Sequence, residues 1–241
     1  MKSNRSLVFH LLPALLAGGI TNARTQEAPP VDDGIRESLR FVQDPDGYTN
    51  LRDGASLKAN ITGRVLHGAP VFVDPGAKGG FHLVFSDEED ASGDRYIHGS
   101  RLRPVMDWKA FGPEGSTGIL RHGGFEAVVE DPAFVASRHR VTKNADGMIL
   151  VNGKSPWGQD GGEPDRLLTL AVSIGGKAVD LPAAATDNLY EPNLETLVLL
   201  TPGDPVERAF VMMANGDGAG GYNVVWAFER GVYRGRAIMA P

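Results

Sequence analysis

Cysteine is absent from all 241 residues. The chain therefore has no disulfide, no thiolate metal site and no cysteine nucleophile, and its stability must come from its core. Positive charge is in short supply: 24 basic residues face 30 acidic ones, for a net charge of −6. That balance argues against nucleic acid as a partner, because phosphate binding needs a basic surface. No apolar run reaches the ~20 residues that a helix needs to cross a bilayer. There is no Gly-x-Ser-x-Gly elbow for a serine nucleophile. The six histidines include no His-x-x-x-His pair or comparable close spacing for zinc. No cofactor is expected, and the sequence reads as a binding protein rather than an enzyme.

What is present is an ordinary globular composition, 41% hydrophobic and 22% charged, so a packed core is expected. The 31 glycines and 16 prolines favour short strands and turns over long helices. At the start, Lys2 and Arg5 precede an apolar run over 7–17, and Thr21-Asn22-Ala23 places small residues at a cleavage point. This order reads as an export signal over 1–23. Its removal would take the net charge from −6 to −8. Without a cysteine to carry a lipid, the expected product is periplasmic or secreted and not membrane-anchored.

Residues 24–40 contain Pro29-Pro30 and Asp32-Asp33-Gly34 and read as a flexible leader. A compact block of short strands spans 41–105. It opens on the turn Asp44-Pro45-Asp46-Gly47, and glycines separate its later strands. Residues 106–124 read as a linker or long loop around Gly112-Pro113-Glu114-Gly115. Residues 125–241 read as a β-rich α+β domain. It shows hairpin signals at Asn152-Gly153 and Gly175-Gly176, one short helix over 182–189, and strands over 196–200, 207–214, 222–228 and 233–239. An antiparallel sheet with one covered face is expected from these last strands.

Three pieces of the 41–105 block carry a resemblance. They are Asp46-Gly47-Tyr48-Thr49-Asn50-Leu51-Arg52, Ile61-Thr62-Gly63-Arg64-Val65-Leu66-His67-Gly68, and Tyr96-Ile97-His98-Gly99-Ser100-Arg101-Leu102. In this order they resemble a bacterial SH3 (SH3b) domain. The resemblance covers about a quarter of the chain and implies a small SH3-like barrel that recognises a cell-wall peptide or an envelope protein. The overall expectation is a mainly β fold, with that barrel followed by the β-rich domain. By position in the motif, Tyr48, Phe81, His82, Tyr96 and His98 would line the groove. The sequence departs from the family where Gly79-Gly80-Phe81-His82 replaces a tryptophan-bearing strand and where the acidic stretch Ser86-Asp87-Glu88-Glu89-Asp90 replaces a tight hairpin. The tail also resembles a region that follows SH3b domains in other exported bacterial proteins, a resemblance that implies no activity.

Two loops are candidate second contact surfaces. One holds Trp157 and Asp160; the other holds Asn215, Asp217 and Tyr222. In the second, only Asn215 and Asp217 offer calcium-type oxygen ligands and no glutamate closes the loop, so no metal is expected. Two alternatives remain. One is an inhibitor or immunity-type protein that blocks a cell-wall enzyme, drawn to a basic partner by its negative charge. The other is a hydrolase with a site between the two domains, around His122, His139 and Asp160.

Overall fold

The structure is a computed structural model that describes residues 28–85, 93–159, 161–216 and 220–240. The fold is mainly β and built from antiparallel sheets. The expected signal segment and the acidic stretch 86–90 lie outside the described residues.

Within the expected leader, residues Asp33–Ser38 form a six-residue helix α1. Asp32 caps it, its Oδ1 accepting the amides of Gly34 (2.8 Å) and Ile35 (3.2 Å), which satisfies donors that a helix start leaves open. The Arg36 guanidinium then donates to the carbonyls of Met106 and Trp108. This segment is held by tertiary contacts that Pro-rich composition does not reveal.

Seven strands follow: β1 (Leu39–Val42), β2 (Tyr48–Arg52), β3 (Ile61–Leu66), β4 (Pro70–Val73), β5 (Phe81–Phe85), β6 (Arg95–His98) and β7 (Leu102–Pro104). They form one sheet in the order β3-β2-β6-β5-β4-β1-β7. The turn before β2 forms as its residues dictate. Gly47 takes a φ of 83°, and its amide reaches Asp44 O at 3.1 Å. Val42, Leu51, Val71, Val73, Ile97 and Leu102 fill the interior of this sheet.

The expected linker is structured. It holds β8 (Lys109–Phe111) and β9 (Ile119–His122). Strand β8 pairs with β15 (Val198–Thr201) at the edge of a sheet continued by β16 (Arg208–Asn215), β17 (Tyr222–Glu229) and β18 (Val232–Met239), in the order β18-β17-β16-β15-β8. Strand β9 pairs with β10 (Phe125–Glu130), which pairs with β13 (Thr169–Ile174) and through it with β14 (Lys177–Ala178). Between them, β11 (Val141–Lys143) and β12 (Ile149–Val151) make a two-stranded arm. The hairpin at Gly175-Gly176 forms with both glycines at positive φ. At Asn152-Gly153 the tight turn is closed only by a single bridge between Val151 and Lys154.

The five-stranded sheet is covered on both faces, not one. Leu199, Val211, Met213, Val224, Trp226 and Phe228 face the core shared with β9, β10 and β13. Their neighbours Val198, Leu200, Phe210, Met212, Val225 and Ala227 face Leu39, Phe41, Phe72 and Val105 of the N-terminal sheet. A strand buried on both sides has no polar face to show, so its sequence reads as an unbroken apolar run. The two expected blocks share one core here. Phe41 meets Phe210 edge-on at 6.2 Å, and Trp108, from the supposed linker, packs on both rings at 5.6 and 4.8 Å.

The expected helix over 182–189 is one 3-10 turn, Ala183–Ala185. Its last carbonyl is used elsewhere. Ala185 O accepts the Trp226 indole N–H at 2.7 Å and a longer bond from Arg236, and Asp187 O also accepts from Arg236 at 2.7 Å. Tertiary donors there outcompete continuation of a short alanine helix.

Candidate functional site

Strand β2 alternates. Thr49 and Leu51 are buried, while Tyr48, Asn50 and Arg52 turn outward, as a period of two requires. Beside it, Phe81 of β5 stands opposite His98 of β6, their rings edge to face at 4.8 Å. These side chains line one open cleft of about 340 Å³, with Leu57, Asp46 and Arg101 also reaching it.

The cleft has a fixed polar framework. Asp44 is buried, accepts the Asp46 amide at 3.0 Å and lies 3.4 Å from Arg101. The Arg52 guanidinium donates to Ala59 O at 2.7 Å. Arg64 lies 4.3 Å from the centre of the Tyr48 ring, a cation–π contact that orients the ring. His98 Nδ1 accepts the Ser100 amide (3.2 Å) and lies 2.8 Å from the Ser100 hydroxyl. A neutral His98 therefore carries its proton on Nε2, as a donor. Mixed charge, one half-buried aromatic and one ring-nitrogen donor suit a short polar peptide carrying both ammonium and carboxylate groups.

Three of the five residues expected in the groove meet there: Tyr48, Phe81 and His98. Phe81 is 3% exposed, so it forms a wall and not a free stacking surface. Tyr96 shares that sheet face, opposite Arg52 and Leu83. Its hydroxyl donates to Asp94 at 2.9 Å, and this bond, with some desolvation and the carboxylate charge, raises the phenol pKa. Tyr96 does not line the cleft. His82 points to the opposite face, where its Nδ1 meets Asp74 O at 2.9 Å. Sequence reading missed Asn50, Arg52, Leu57 and Arg101; the alternation of β2 is the signal for the first two.

Of the second-surface candidates, Asn215 and Tyr222 are interior. Tyr222 is 1% exposed and donates to Tyr190 O at 2.9 Å, and burial pushes its phenol pKa well up. Asn215 is buried and accepts the Asn193 amide at 2.9 Å. Trp157 is half-buried, 6.0 Å from Tyr222. Asp160 and Asp217 lie outside the described residues. Around Gly158 and Glu191 the described backbones pack closely. A Cβ on Gly158 would sit 2.4 Å from Tyr190 O, and the Glu191 carboxylate gathers Gln159 Nε2 and the amides of Asp165 and Arg166.

The two histidines of the hydrolase alternative have separate surroundings. His122 stacks on Phe111 and faces Asp204 at 2.9 Å. His139 stacks on Phe134 and lies 3.3 Å from Asn152. Among the described residues, no group of three or more histidine and carboxylate side chains is arranged to hold a metal ion. Comparison with models of known protein families, with curated proteins and with solved structures yields no match.

Proposed function

We propose that this chain is an exported, non-catalytic binding protein of the SH3b type, which holds a cell-wall peptide in the cleft beside β2. The observation that carries this reading is the convergence of Tyr48, Phe81 and His98 on one open cleft. An extended peptide would pack on the Tyr48 ring, take the His98 Nε2 proton as a hydrogen bond, and set its charges against Asp46, Arg52 and Arg101. Aromatic anchors of this kind dominate small interfaces, and an extended ligand beside a sheet gains further from backbone pairing.

The test is sedimentation of residues 24–241 with purified peptidoglycan sacculi at low and moderate salt. The wild-type chain is expected to pellet. The Tyr48→Ala, Asn50→Ala double variant is expected to bind about tenfold or more weakly, with an unchanged circular dichroism spectrum. Absence of pelleting at both salts overturns the reading and directs the search to an envelope protein, including a wall enzyme that the chain blocks.

A further inference from the structure

The chain has two Asn-Gly steps, at 152–153 and 215–216. An asparagine before glycine is prone to lose ammonia, because a glycine has no side chain to shield its amide from the neighbouring carboxamide carbon. The fold treats the two steps differently. Asn215 is 3% exposed, its Oδ1 accepts the Asn193 amide at 2.9 Å, and the Gly216 amide donates to Glu191 O at 3.2 Å. Both groups that would react there are engaged. Asn152 and Gly153 are exposed, with φ of 55° and 88°, in a turn closed by the bridge between Val151 and Lys154. The Gly153 amide has no hydrogen-bond partner among the described residues. A turn held by one bridge opens locally at little cost, which gives the amide the freedom to reach its own neighbour.

The groups around Asn152 match what the reaction needs. The Arg140 amide donates to Asn152 Oδ1 at 3.0 Å, the atom on which negative charge develops when the carboxamide carbon is attacked. That bond fixes the carboxamide with Nδ2 toward His139 Nδ1, 3.3 Å away. The His139 ring is held in turn by stacking on Phe134, with centroids 4.7 Å apart. The Arg140 guanidinium lies against Gly153, since a Cβ there would sit 2.9 Å from its Nη2. A cation beside an amide favours the deprotonated, nucleophilic form.

We propose that Asn152 is a self-modification site, at which the Gly153 amide closes on the Asn152 carboxamide with Arg140 and His139 as the activating groups. The Gly153 nitrogen gives its proton to water and bonds to Cγ. The Cγ–Nδ2 bond breaks, and ammonia leaves with a proton from the His139 imidazolium, which solvent restores. Water then opens the succinimide ring at either carbonyl, giving aspartate or isoaspartate. The product places a carboxylate beside His139 and Arg140, where the chain had a neutral amide. This site is separate from the cleft beside β2 and does not depend on what that cleft binds.

The experiment follows residues 24–241 over time at neutral pH, folded and in urea, by mass mapping of proteolytic peptides. In the folded chain, Asn152 is expected to convert at least about tenfold faster than Asn215, and in urea the two steps are expected to convert at similar rates. His139→Gln removes the proton donor, and Arg140→Gln removes the guanidinium but keeps the backbone amide. Each is expected to slow conversion at Asn152 about threefold or more, with no change in melting temperature. Equal conversion of the two steps in the folded chain overturns the proposal, as does an intact Asn152 in the folded chain while the urea-unfolded chain converts. So does a rate at Asn152 that neither variant changes.

Discussion

Trp226→Ala is expected to destabilise the fold by about 3–5 kcal/mol, close to the whole stability of many domains. Trp226 is fully buried at the middle of β17, on the face shared with β9, β10 and β13. Alanine removes the largest side chain of that core, and the cavity persists because both sheets already pack around it. The loss has a second part. The indole N–H is the shorter of two bonds to Ala185 O, at 2.7 Å, and ties the 3-10 turn at Ala183–Ala185 to β17. Trp226→Phe keeps most of the ring and removes that donor, so it isolates the hydrogen bond at about 1–2 kcal/mol. Urea unfolding followed by circular dichroism measures both. A loss under about 1 kcal/mol for the alanine variant would mean that the doubly covered sheet is not the centre of the fold.

The second large effect is expected at Glu229, where the N-terminal sheet meets the end of β17. Its carboxylate is in contact with Arg208, lies 3.3 Å from Arg234 and 3.8 Å from His67, and is 12% exposed. Arg208 also lies 4.2 Å from the centre of the Phe41 ring. Glu229→Gln keeps the shape and leaves two arginines in a half-dry site without their counter-charge. Breaking a buried pair from one side costs about 3–5 kcal/mol. Partial exposure of the arginines brings the expectation here to about 2–3 kcal/mol. Glu207→Gln, which loosens an exposed pair with Arg230 at 3.6 Å, is expected to cost under about 1 kcal/mol.

Burial alone would push the Glu229 carboxyl pKa up. The Arg208 hydrogen bond and charge, with Arg234 and His67, outweigh it and hold the carboxyl below its ordinary value of 4.5. A carboxyl lowered in the folded state stabilises fully above its unfolded value and loses that contribution as pH falls through the folded one. The gap in unfolding free energy between wild type and Glu229→Gln should therefore be full at neutral pH and shrink below about pH 4.5. A gap that stays constant down to pH 3 would assign the effect to packing instead of charge.

Much of the fold is legible in local chemistry. Asp44-Pro45-Asp46-Gly47 and Gly175-Gly176 place two turns within a residue, because each needs a glycine at positive φ. The alternation of β2 turns Tyr48, Asn50 and Arg52 to one side, so a candidate surface can be read from five residues. The errors have a common cause. Asn215 and Tyr222 sit among glycines and look like a surface loop, yet Gly158 and Gly216 let neighbouring backbones close over them. The alanines at 183–185 look helical, yet Trp226 and Arg236 take the carbonyl of Ala185. Residues 106–124 look like a linker, yet Lys109–Phe111 completes a sheet whose partner strand begins at Val198.

By itself, then, the sequence determined the class and the local punctuation: a cysteine-free, turn-rich, mainly β chain with its strands and turns largely in place. Those properties follow from backbone preferences and side-chain periods that act over a few residues. Only the tertiary structure decided that the final sheet is covered on both faces, that both blocks share one core, and that the cleft gathers Tyr48, Phe81 and His98 but not His82 or Tyr96. Each of those depends on which distant strand lies alongside, a choice made by complementary packing across the whole chain, which no local preference encodes.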